Sequence, residues 1–70
     1  MNGDVRQEIG RRVADLRKKK GVTQERLAEM TGFSQSNIWR IEAGKYSVGL
    51  DILAKIADAL QCDVKLIERD

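Results

Sequence analysis

Residues 22–45, VTQERLAEMTGFSQSNIWRIEAGK, carry the same short pattern twice in immediate succession. Thr23 follows Val22 and precedes Leu27 by four positions; Ser34 follows Phe33 and precedes Ile38 by four. A hydroxyl at an N-cap accepts a hydrogen bond from the freed backbone N–H groups of the first turn. Apolar residues just before it and at the fourth helical position staple the entry angle of the chain. Gly32 and Gly44 stand where each helix must stop, since glycine takes the left-handed conformation that closes a helix. The spacing thus predicts two short helices joined by about three residues. So tight a connection sets them at a large crossing angle.

The rest of the chain builds around that pair. Val5, Ile9, Val13 and Leu16 recur at helical spacing, predicting an amphipathic first helix that runs to Lys18, Lys19 and Lys20 and is capped by Gly21. A fourth helix is expected from about Leu50, with Asp51, Lys55 and Asp58 as its only polar stripe. So narrow a stripe predicts a strut enclosed on most sides. The tail CDVKLIERD reads two ways: Val64 and Ile67 suit a helical turn, whereas VKLI is β-favouring, and the strand is the preferred expectation.

With 70 residues the chain makes one small domain. Domains of this size bury only about 60% of their unfolded surface, so oligomerisation is expected. At 41% hydrophobic and 34% charged residues the composition is that of a globular domain. No stretch approaches the roughly 20 apolar residues that span a bilayer, and no signal peptide opens the sequence. A cytoplasmic, nucleoid-associated location is the expectation.

Lone Cys62 cannot form an internal disulfide and reads as a small buried hydrophobe. There is no histidine, so no zinc constellation can be assembled and no metal or other cofactor is expected. Lacking also a glycine-rich phosphate loop, the sequence offers no nucleophile, base or metal cluster, which argues against an enzyme. The net charge is only +2, but it is unevenly spread: residues 1–20 hold seven Lys/Arg against three Asp/Glu, and residues 49–70 hold three against five. A modest total permits nucleic-acid binding when the cations share one surface.

The run IGRRVADLRKKKGVTQERLAEMTGFSQSNIWRIEAGK combines Thr-Gln-x-x-Leu-Ala, a turn glycine and Ile-x-x-Ile-Glu-x-Gly, in order and at matching spacing. In this it resembles the Cro/CI-type (XRE family) helix-turn-helix regulators, over about residues 9–60. The resemblance implies an all-α, compact four- to five-helix lambda-repressor-like DNA-binding domain. We take residues 1–61 as that domain and 62–70 as a C-terminal extension, a candidate dimerisation strand. Two departures bear on the ends of the fourth helix: Val48 and Gly49 stand where Pro-Ser is common, and Gln61 where a capping glycine is common.

The resemblance also implies roles. Gln24 matches a glutamine that binds backbone phosphate, while Gln35, Ser36 and Trp39 match positions that read or border base edges. Thr23, Ser34, Asn37, Arg40, Lys45, Tyr46 and Ser47 fall where DNA-backbone contacts are expected. Arg17 and Glu42 match a pair bridging the first and third helices, a lock for the recognition helix at about 34–43. The residue chemistry points the same way. Gln24 and Gln35 open helices, where free N–H groups favour a phosphate, and an amide pairs with adenine N7 and N6 in the major groove.

Trp39 shares a face with Gln35 and Ser36, opposite Ile38 and Ile41. There it can offer its ring to thymine methyls or deoxyribose and its N–H to a phosphate; the competing reading folds it against Val48 or Tyr46. The expected activity is sequence-specific double-stranded DNA binding by a transcriptional regulator. It is expected to act as a homodimer on a palindromic operator, through Ile52, Ile56, Val64, Leu66 and Ile67. The alternative is an antitoxin-like protein that binds a partner toxin and autoregulates its operon.

Overall fold

Val5–Lys19 form α1, and the computed structural model describes residues 5–69 of the chain. The helix buries Val13 and Arg17 and places Arg17, Lys18 and Lys19 in its last turn, against the negative end of its dipole. Gly21, at φ 70°, turns the chain out of it: the Val22 N–H donates to the Arg17 carbonyl and the Gly21 N–H to that of Lys18, both at 3.0 Å. The first four residues and Asp70, which the division into 1–61 and 62–70 includes, lie outside the described residues.

Two short helices follow, α2 over Gln24–Thr31 and α3 over Gln35–Glu42. The Arg26 N–H donates to Thr23 Oγ1 at 3.0 Å and the Asn37 N–H to Ser34 Oγ at 3.1 Å, so each hydroxyl caps its own helix. Gly32 and Gly44 hold φ of 78° and 73°, a conformation that strains any residue carrying a Cβ. Thr31, buried at the end of α2, donates its hydroxyl to the Leu27 carbonyl at 2.8 Å and so enters the core without an unpaired polar group.

Leu50–Ala59 form α4. Its exit departs from the glycine rule: Gln61 itself takes φ 58°, the Gln61 N–H donates to the Asp58 carbonyl at 3.0 Å and the Cys62 N–H to that of Ala57 at 2.7 Å. The hydrogen bonds of the glycine-type cap are therefore made by a residue that is strained in making them. The half-buried Cys62 thiol donates to the Leu60 carbonyl at 3.3 Å.

One core serves all four helices. Val13 from α1, Leu27 and Ala28 from α2, Ile38 and Ile41 from α3, and Ile56 and Leu60 from α4 and its cap close around it. Helix α3 packs against both α1 and α2, and α4 packs against α2. This arrangement corrects the picture of α4 as an enclosed strut. Among its residues only Ile56 is fully buried, and Leu50 is 72% exposed, because a chain of this length has no second layer to cover the outer side.

The tail differs from expectation as well. Residues 62–69 adopt neither strand nor helix, and Leu66 and Ile67 stand in solvent. A strand needs a neighbouring strand to take its backbone hydrogen bonds, and none exists among the described residues. Ile56, expected at a partner-facing position, is 1% exposed and belongs to the core. No helix among the described residues is long and apolar enough to cross a membrane.

Candidate nucleic-acid interface

Ile38 and Ile41 pin α3 by one side, and three or four residues make one helical turn, so Gln35, Ser36, Trp39 and Arg40 turn outward together. With Gln24 from the start of α2 they line one shallow, open depression. Both caps lie beside it, since Gln24 and Gln35 are the first residues of their helices. The N–H groups left free in each first turn carry the positive end of the helix dipole, which suits an anion.

A buried ion pair holds this face in place. Arg17 Nε donates to Glu42 Oε2 at 2.6 Å and Nη2 to Glu42 Oε1 at 3.0 Å, in the two-pronged geometry that suits guanidinium and carboxylate. The side chains are only 11% and 8% exposed. Arg17 Nη1 also donates to the Val22 carbonyl at 2.9 Å, and Gln24 Nε2 to Glu42 Oε1 at 3.0 Å. The Glu42 carboxylate at the end of α3 thus ties the end of α1 to the start of α2, and the Arg17 guanidinium adds the loop between them. The hydrogen bonds that Arg17 donates to Glu42, opposed by burial and aided by the carboxylate's charge, raise the Arg17 pKa above the ordinary arginine value. The cation therefore persists at any pH near neutrality.

The other residues singled out from sequence spread around the depression. Thr23 and Ser34 are exposed, with their hydroxyls engaged in capping. Asn37 is half-buried on the flank of α3, where its Oδ1 accepts from Arg40 Nη1 at 3.4 Å. Arg40, expected from the resemblance to contact the DNA backbone, borders the depression itself. Lys45, Tyr46 and Ser47 are exposed in the loop after α3. Trp39 is 51% exposed and is not one of the buried core residues.

Two close approaches escaped the sequence reading. Gly10 is buried in α1 where a Cβ would collide with the Ile41 and Glu42 carbonyl oxygens at the end of α3. At Gly44 a Cβ would lie 2.7 Å from Gln7 Cγ and 2.9 Å from Gln7 Cα. Both contacts set how deeply α1 seats the end of α3. A glycine inside an otherwise regular amphipathic helix is the signal that pointed to the first.

Comparison with known proteins follows the same outline. A family model described as a helix-turn-helix domain matches residues 8–69. The competence pilus inhibition repressor of Acinetobacter baylyi is 42% identical over 60 residues, 86% of this chain and 54% of that protein. The chain thus spans about half the length of that relative. Among solved structures, the restriction-modification controller protein C.AhdI from Aeromonas hydrophila is 35% identical with a TM-score of 0.79, covering 81% of this chain and 83% of that one. The clp gene regulator ClgR from C. glutamicum is 32% identical with a TM-score of 0.83, covering 84% and 76%.

Proposed function

The chain belongs to the helix-turn-helix domain family, and from that premise we propose that it is a transcriptional regulator that binds specific sites in double-stranded DNA through α3. The observation that carries this reading is the depression lined by Gln24, Gln35, Ser36, Trp39 and Arg40, which gathers residues from two helices on the side of α3 opposite its core contacts. The relatives named as repressor, controller protein and gene regulator support it.

In this reading the first half of α3 enters the major groove. Gln35, whose amide carries a donor and an acceptor in one plane, pairs with the N7 and N6 of an adenine, and Ser36 lies beside it on the base edges. Gln24 spends one amide proton on Glu42 and keeps a second for a phosphate oxygen. Asn37, Arg40, Lys45, Tyr46 and Ser47, with the helix starts at Thr23 and Ser34, complete the backbone contacts that fix register on the duplex. Residues 1–61 act as the DNA-binding domain and residues 62–70 as an extension that joins two copies. The exposed apolar residues Val64, Leu66 and Ile67, with half-buried Ile52, form the proposed contact between them.

Selection of binding sites from a pool of random duplexes tests the reading. The expected outcome is one enriched palindrome whose half-sites lie about one helical turn, roughly 34 Å, apart or a simple multiple of it. A pool that emerges unenriched overturns it.

A further inference from the structure

The indole of Trp39 is the one large apolar group in a depression otherwise lined by amides, a hydroxyl and a guanidinium. Half of it is open to solvent, and Ile38 and Ile41 fill the core side of α3 without it. An aromatic ring in that position desolvates whatever it meets. Against the polar edge of a guanine, cytosine or adenine it leaves donors or acceptors without partners. The major-groove floor presents one apolar feature, the C5-methyl group of thymine.

We infer that Trp39 reads the C5-methyl group of a thymine, so that each half-site contains a T·A pair recognised by that methyl; this rests on the DNA-binding reading of the same face. The placement favours the groove floor over the sugar-phosphate wall. Trp39 follows Gln35 by one turn and Ser36 by three residues, so its ring belongs to the same outward stripe. The groups suited to phosphate lie around it: the Gln24 amide held by Glu42 on one side, Arg40 about 100° further round α3, and Lys45 beyond the end of the helix. An indole has two side-chain torsions, so little is lost in holding it against a methyl group.

The test replaces each thymine of the selected operator, one at a time, by deoxyuridine, which removes the methyl and leaves base pairing intact. One position per half-site is expected to weaken binding by about fourfold, the worth of one buried carbon. Trp39→Ala should bind thymine and deoxyuridine operators alike, and Trp39→Phe should keep part of the discrimination. An operator indifferent to every replacement, one lacking T·A pairs beneath α3, or discrimination that survives in Trp39→Ala overturns the inference while DNA binding stands. Absence of any selected operator overturns both.

Discussion

Gln24 and Gln35 carry the same side chain at the same helical position of two helices, yet their surroundings differ. Gln24 is anchored on Glu42, whereas Gln35 is exposed at the edge of the depression with no side-chain partner among the described hydrogen bonds. A fixed amide suits a phosphate, which looks alike at every step, and a free one suits a base edge. Gln35→Ala should therefore relax preference at one operator position by about 1–3 kcal/mol, while Gln24→Ala weakens all sequences similarly and, because the amide is uncharged, leaves the salt dependence of binding unchanged. Equal losses on specific and random duplexes for Gln35→Ala would exclude its base-reading role. Trp39, the only tryptophan, reports on the same face. Its emission in the free protein should be red-shifted and open to acrylamide, and operator duplex should protect it. Trp39→Ala should change stability by no more than about 0.5 kcal/mol, as for a surface residue outside the core. A blue-shifted, unquenched emission in the free protein would place the indole in the core.

Helix α3 has only eight residues and cannot hold its own orientation, so its two ends must be fixed from outside. Ser34 fixes the start, and the Arg17–Glu42 pair with the Gly10 contact fixes the end. Arg17→Ala leaves the Glu42 carboxylate buried with only the Gln24 amide, and thermal or denaturant unfolding should show a loss of about 3–5 kcal/mol. Replacing Arg17 by Met and Glu42 by Leu together should cost less than Arg17→Ala alone, and an unchanged melting temperature in the single variant would count against the lock. At the end of α4 the sign reverses. Gln61 holds φ 58°, so Gln61→Gly should raise stability by about 1 kcal/mol, and a loss would mean that the Gln61 side chain supports the cap in another way. These elements also show what a sequence makes legible. Caps, staples and stop glycines act within a few residues of themselves, and the helices begin and end where Thr23, Ser34, Gly21, Gly32 and Gly44 imply. The outward stripe of α3 follows from the same periodicity, because Ile38 and Ile41 define its opposite. Gly10 shows its close approach only as an interruption of the α1 pattern, whereas the Gly44–Gln7 contact and the bond from Gln24 to Glu42 join residues far apart in the chain and depend on packing that no local pattern encodes. The apolar pattern of α4 misled for a related reason: periodicity reports that a face avoids water, without saying whether the covering surface belongs to the same chain.

At the scale of the whole molecule the unresolved balance is apolar surface. Leu50, Val64, Leu66 and Ile67 are all exposed, on α4 and on a tail that has no regular structure. Burying one such side chain contributes about 1.5–3 kcal/mol, so a contact that covers several of them is worth enough to pair two copies despite the ordering of the tail. Pairing also bears on DNA binding, since a second half-site engaged by a linked copy raises affinity on the order of 10²-fold or more without any new contact to DNA. Removing the tail tests this, provided the cut spares the fold. The Cys62 N–H closes α4 on the Ala57 carbonyl at 2.7 Å, so the chain is best ended after Asp63. That truncation should keep its helical content, sediment as a monomer where the full chain sediments as a dimer, and lose the higher affinity for a two-half-site operator while binding a single half-site as before. Leu66→Asp combined with Ile67→Asp should do the same at full length, since both side chains are exposed and neither belongs to the buried core. A full chain that remains monomeric at about 50 μM would defeat the pairing model. So would a charged-tail variant that still dimerises, because the pairing would then have to run through α4 alone.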